Sequence, residues 1–321
     1  MTSTPRSKCE TPERRRVYVV QRERAGRYAE LVDGRARSPR GRRARRRRRV
    51  SGIKQWGLRY QAHSKVLRWA VAVAPAEYGP NRPSPPLPLV ISPHGRGVRA
   101  RTNANLWRDL PGQGGFVVIC PGGMGRRLPL HSWGWRGQID DLARMPAILR
   151  AARPWLHVDL ERVYAVGGSM GGQETLLLVG RHPELLAGAV AFDSVTDFFR
   201  RYSDFALLGR KGTALQALAR IEVGGTPRTK PLEYRVRGAQ HWLDAIANSG
   251  VPLQMWWSDA DEIVTGQENQ SGKFFADLQA RKPRGRLEKV TGSWSHTAET
   301  YRRLQLPGAV RWLGLLSDDV Y

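Results

Sequence analysis

Cysteine is scarce in this chain: of 321 residues two are Cys, one in a polar N-terminal stretch (Cys9) and one closing an apolar run (Cys120). Neither position suggests a disulfide framework or a thiolate metal site. Long apolar runs are missing too. No uninterrupted stretch approaches the about 18 residues that a membrane-crossing helix needs, so no membrane span is expected. A secretory h-region is also lacking, because Val17-Tyr18-Val19-Val20 is short and no small-residue cleavage site follows it. Together these absences predict a reducing, cytoplasmic setting. A phosphate-binding loop is excluded as well. Pro121-Gly122-Gly123-Met124-Gly125 has neither a following Lys-Ser/Thr pair nor a helix directly after it.

Acidic residues are few beside basic ones, 28 against 53, which gives a net charge of +25. The excess is unevenly spread. Residues 1–50 hold 18 Lys and Arg against 5 Asp and Glu, +13 of the total, with an arginine run from Arg45 to Arg49. Few large apolar residues accompany them, so residues 1–54 are expected to form a disordered arm ahead of a folded unit at 55–321. Such an arm binds polyanions nonspecifically and releases them with salt, while nothing in it reads bases. No specific nucleic-acid partner is expected, and oligomeric state is not legible.

Hydrophobic residues make up 40% of the chain, enough for a substantial core. Strand-like runs occur at residues 65–74, 88–92, 115–120, 163–166, 187–192, 251–257 and 286–290, with helical spacing at 138–152, 173–179 and 240–248 between them. The alternation predicts an α/β unit with a mostly parallel sheet covered on both faces. Nearly sixty residues, 194–250, separate two of the strands. That is more than one crossover helix needs, and its early aromatics (Phe198, Phe199, Tyr202, Phe205) predict a small helical cap over a site.

Gly167-Gly168-Ser169-Met170-Gly171 lies where a strand should turn into a helix. This is the context of a nucleophile elbow, in which a strained turn presents a serine hydroxyl at the top of the sheet. The serine needs a histidine to take its proton and a carboxylate to orient that histidine. Two histidines, His241 and His296, lie well beyond Ser169. His296, in a loop after the last strand-like run, is the expected base. The acid should follow the strand at 251–257, where Asp259, Asp261 and Glu262 compete. Asp261 is favoured because Ile263 and Val264 after it can anchor the loop, with Asp193 a further candidate. An oxyanion hole should combine the Met170 N–H with a donor from Pro93-His94-Gly95-Arg96-Gly97, either Gly95 or Arg96. Trp294, Trp257 and Trp133 are candidate linings of the substrate pocket, and Arg96 is a candidate partner for a substrate carboxylate.

In these residues, His94-Gly95, the Gly167–Gly171 elbow, Asp261 in Asp-Glu-Ile-Val and His296, the chain resembles the α/β-hydrolase superfamily. Within it, the prolyl-oligopeptidase-like and dienelactone-hydrolase-like esterase branches are the most similar. The resemblance, from about residue 65 to 316, implies an α/β-hydrolase fold with Ser169 as nucleophile, His296 as base and Asp261 as orienting acid. It also implies hydrolysis without cofactor or metal. Two departures, His-Gly-Arg-Gly in place of His-Gly-Gly-Gly and no segment reading as an N-terminal propeller, favour carboxylic esters over peptides. The substrate would be a small or polymeric ester. A peptidase, a polyester or aromatic-ester hydrolase, and a noncatalytic binding protein on a hydrolase scaffold are the alternatives.

Overall fold

The computed structural model describes residues 52–297 and 305–317. The arm expected at 1–54 lies outside the described residues except for its last three positions. Ile53 and Lys54 already belong to the first strand, two residues before the expected boundary.

Eight strands form one sheet: β1 (Ile53–Gln61), β2 (Leu67–Pro75), β3 (Leu87–Ile91), β4 (Val117–Pro121), β5 (Val158–Gly168), β6 (Gly188–Phe192), β7 (Leu253–Ser258) and β8 (Leu287–Gly292). Their spatial order is β1-β2-β4-β3-β5-β6-β7-β8. The pairs β1/β2 and β2/β4 are antiparallel and every later pair is parallel. The expected strands are present. Only β1 had no counterpart, its Ile-Lys-Gln-Trp-Gly-Leu pattern being half-buried and adjoining the basic segment.

Strand alternation divides the core between the two faces. In β4, Val117 and Ile119 join one cluster while Val118 and Cys120 join the other. The first face is covered by helices Arg136–Ala143, Met145–Ala152, Met170–Arg181, Leu243–Asn248 and Ser271–Ala280, and the second by Ala100–Leu106 and Gln305–Trp312. This is the α/β-hydrolase fold. The single helix expected over 138–152 is instead two, broken at Arg144, with Pro146 opening the second. A proline in the first turn starts a helix and cannot continue one.

The stretch between β6 and β7 divides as well. Residues Ala239, Leu243, Ile246 and Ala247 belong to the main core, so the end of the expected cap is an ordinary sheet-covering helix. The earlier helices, Phe198–Asp204 and Gly209–Val223, form a third cluster with Trp133 and Met170. Glu222, fully buried, fastens this part to the loop after β4. Its carboxylate accepts the N–H groups of Arg126 (2.6 Å), Arg127 (2.9 Å) and Leu128 (3.1 Å) and a bond from Arg237 Nη1 (3.2 Å). Arg237 is itself buried and otherwise bonds the Ser132 carbonyl. Removing one member of such a buried pair strands the other charge, at a cost of about 3–5 kcal/mol. Glu222→Ala is therefore expected to lower the unfolding free energy from urea titration by that amount, and a loss below about 1 kcal/mol would show the pair to contribute no more than a surface contact.

Candidate active site

Ser169 is the hinge between β5 and the helix Met170–Arg181, with φ 60° and ψ −124°. Left-handed φ at a non-glycine residue is strain that the surroundings must hold. They do so through the Ser169 N–H, which bonds the Phe192 carbonyl of β6 (2.8 Å), and through Gly171, where a Cβ would stand 2.3 Å from the Pro93 oxygen. Any side chain at 171 would drive the elbow away from the loop after β3.

Facing the Ser169 Oγ at 2.8 Å is the His296 Nε2, and the His296 Nδ1 lies 2.8 Å from the Asp261 Oδ2. Because a carboxylate only accepts, Nδ1 carries the proton and Nε2 is left to accept from the serine hydroxyl. Asp261 is buried, and its other bonds come from the N–H groups of Ile263 (2.9 Å) and Val264 (2.8 Å) and from Gln267 Nε2 (3.0 Å). Burial pushes its carboxyl up, but these bonds and the adjoining imidazole outweigh it and hold it below the usual carboxylate range. Both residues hold the carboxylate through their N–H groups, and of the two side chains Val264 is buried in the third cluster while Ile263 is exposed. The competing acids lie elsewhere: Asp259 accepts from Ser293 and Glu262 from the His296 N–H.

Asp193, the further candidate for the acid, instead holds the loop that carries the histidine. Its carboxylate accepts from Ser258 N–H (3.0 Å), Trp294 Nε1 (2.9 Å) and Thr297 N–H (3.0 Å), gripping the His296 loop on both sides of the histidine. Burial pushes it up to about 6. Ligand atoms of Asp193, Asp261 and His296 lie within 4.8 Å of one another, and each already has a hydrogen-bond partner. The set works as a positioning network.

On the other side of the serine, His94 is buried between two backbone groups, its Nδ1 donating to the Gly95 carbonyl (2.8 Å) and its Nε2 accepting from Gly123 N–H (2.7 Å). Burial holds its pKa below the ordinary value, which keeps it neutral for this double role. A Cβ on Gly95 would lie 3.8 Å from the Ser169 Cβ, so this loop borders Ser169.

The three tryptophans part company. Trp133 stacks on Phe198 (centroids 5.7 Å apart), and its N–H bonds the Met170 sulfur (3.5 Å), so it sits beside the elbow. Trp294 is corrected from pocket lining to loop anchor: it is 6% exposed and its indole is spent on Asp193. Trp257 is corrected too. It packs with Phe275 in the main core and bonds Glu268 (2.9 Å). His241, the rejected histidine, packs edge-on against Trp242 instead.

The sequence profile described as the prolyl oligopeptidase family matches residues 131–303, more than half the chain. The chain belongs to the prolyl oligopeptidase family. No curated protein sequence matches it. Among solved structures it is similar to Porphyromonas gingivalis dipeptidyl peptidase 4 (16% identity, TM-score 0.61), with 84% of this chain covering 36% of that one. It is also similar to Staphylococcus aureus S-formylglutathione hydrolase (16%, TM-score 0.58, 82% of this chain and 99% of that one) and to a Rhizomucor miehei esterase (13%, TM-score 0.60, 83% and 82%). At these identities the likeness is one of fold. The chain spans about a third of the length of the dipeptidyl peptidase structures it is similar to.

Behind the elbow, Glu174 is fully buried and accepts from the Ser132 hydroxyl. Burial pushes its carboxyl from 4.5 up to about 8, against hydrogen bonds from Ser132 and Gln138 that pull it down. The folded state then holds the proton more tightly than the unfolded chain, so stability falls as pH rises from 4.5 to about 8 and is level above. Glu174→Gln cannot ionise. Its stability relative to the parent is expected to rise between pH 4.5 and 8, read from urea midpoints, and a pH-independent difference would contradict this placement of the carboxyl.

Proposed function

We propose that the protein hydrolyses carboxylic esters through an acyl-enzyme, with Ser169 as nucleophile, His296 as general base and acid, and Asp261 as the orienting carboxylate. The observation that carries the reading is the continuous relay from Asp261 Oδ2 through His296 to Ser169 Oγ, both links at 2.8 Å. His296 Nε2 takes the hydroxyl proton while Oγ bonds the carbonyl carbon. The tetrahedral intermediate collapses as His296 returns that proton to the departing alkoxide. Water, deprotonated by the same nitrogen, then releases the acid and restores Ser169.

The intermediate's oxyanion is held by backbone N–H groups. Met170 is the first residue of its helix, where an N–H has no partner within the helix. Arg96 is favoured over Gly95 as the second donor. The Gly95 carbonyl is turned to the His94 ring, and in a planar trans peptide the N–H of the same unit, on Arg96, points the opposite way. Trp133, packed against Met170, lines the pocket from the cap side.

Peptide hydrolysis is the second reading, favoured by the family match. Near-complete coverage of the S-formylglutathione hydrolase and the fungal esterase supports the ester reading. Matched 4-nitrophenyl esters and 4-nitroanilides separate them. Ester turnover without anilide release is expected, and Ser169→Ala should lower kcat by about 10⁴-fold or more. Anilide turnover within about tenfold of the ester's would move the assignment to a peptidase, and an undiminished Ser169→Ala rate would remove Ser169 as nucleophile.

A further inference from the structure

A closed circuit of contacts surrounds the reactive serine. From His296 it runs through Asp261 to the Ile263 N–H, and the Ile263 carbonyl accepts from Arg201 Nη2. The Arg201 guanidinium lies over the Phe205 ring (4.7 Å), Phe205 packs on Trp133 (6.3 Å between centroids), and the Trp133 N–H reaches Met170, next to Ser169. Arg201 is the unexpected member of this circuit. It is 2% exposed, and its Nη1 has no hydrogen-bond partner among the described residues.

Across the site, the Arg96 side chain follows Gly95 in the loop that borders Ser169. It is half-buried, and among the described residues no hydrogen bond, ion pair or ring contact engages its guanidinium. The two cations feel each other. Burial pushes the Arg201 guanidinium down to about 10, Asp204 and Asp261 draw it back up, and Arg96 pushes it further down. Among the described residues no carboxylate forms an ion pair with either guanidinium. Asp261 is committed to four hydrogen bonds, and Asp204 to Gln270 (3.3 Å) and Arg200 (3.9 Å). Desolvating two like charges with no carboxylate bonded directly to either is costly unless an anion completes the site.

We infer that Arg96 and Arg201 form a carboxylate subsite beside the elbow, so that the enzyme selects substrates carrying a free carboxylate a few atoms from the scissile carbonyl. The inference rests on the hydrolase reading above. A guanidinium suits the role, since its planar donors match a carboxylate and it stays charged when partly buried. The position of Arg201, between the acid loop and the aromatic cluster, sets the anion on the cap side of the site. Arg96 sets it within reach of the oxyanion loop.

Two pairs of esters test this, each comparing a carboxylate with its methyl ester: phenyl hydrogen glutarate against phenyl methyl glutarate for the acyl side, and 4-carboxyphenyl butyrate against 4-methoxycarbonylphenyl butyrate for the leaving side. The readout is the ratio of kcat/KM, anionic over neutral, from phenol release corrected for uncatalysed hydrolysis. In the parent the ratio is expected to reach about tenfold in one pair and to shrink as sodium chloride is raised. Arg96→Gln should bring it to about one, whatever happens to the absolute rates. Arg201→Lys, which keeps the charge but loses the fork, should reduce it; if that variant does not fold, Arg96→Gln and the salt series carry the test. Neutral esters turned over with a ratio of one or less in both pairs would overturn the carboxylate subsite and leave the hydrolase reading standing. A high ratio that Arg96→Gln leaves untouched would overturn the role of Arg96. Absence of turnover on all four esters would instead strike the ester-hydrolase reading, and the subsite with it.

Discussion

The close approach of backbone around Ser169 is the constraint on which the rest of the site depends. A Cβ on Gly167 would come within 2.5 Å of the Gly171 oxygen, and one on Gly171 within 2.3 Å of the Pro93 oxygen. The first contact lets β5 reverse into its helix within one residue, and the second presses that helix onto the loop after β3. The same pinch therefore lifts the serine hydroxyl out of the sheet and brings the His94-Gly95-Arg96 backbone to its side. Neither would follow from the strand order alone. An α/β sheet of this topology provides the crevice, but two missing methyl groups set the distance across it.

The opposite wall is built from carboxylates. Asp261 and Asp193 end neighbouring strands of the sheet, β7 through its loop and β6 directly, and they divide the work. Asp261 is held below the usual range by the groups it accepts from, and it faces the imidazole. Asp193, pushed up by burial, faces the backbone and indole of the loop that carries the imidazole. One carboxylate orients His296 and the other shapes the chain on which His296 stands. The Ser258 hydroxyl completes this, accepting from the Trp294 N–H and donating to the Trp294 carbonyl.

Much of this was legible in sequence, for definite reasons. The elbow could be read because a glycine-flanked serine between a strand and a helix has few other uses, and the order Ser169, Asp261, His296 follows from strands read off their apolar runs. The parallel core was legible because strands buried on both faces are apolar at consecutive positions. What escaped were side chains whose role depends on direction. Trp294 and Trp257 are adjacent in sequence to site residues, but strand and loop geometry turns their indoles into Asp193 and Glu268. Arg201 and Glu222 look like solvated charges on helical stretches. Only the fold shows that both are buried and that each fastens the cap-side helices to a loop beside the site.

Those two fastenings bear on how this fold supports hydrolysis. In the proposed reaction esters and amides share the acyl-enzyme route, and they differ in how firmly the leaving group must be protonated by the general acid as the tetrahedral intermediate collapses. That step depends on the proton's distance from the departing atom, hence on how rigidly substrate and imidazole are held to each other. Here His296 is fixed by carboxylates on the β6 and β7 side, while Trp133, Phe198 and Phe205 cluster on the other side of the elbow with Met170. Arg201 connects the two through the Ile263 carbonyl, and Glu222 binds the helix Gly209–Val223 to the loop leading to Trp133. The buried charges thus make one rigid frame of the His296 loop and the aromatic cluster, two parts that the sheet alone does not join.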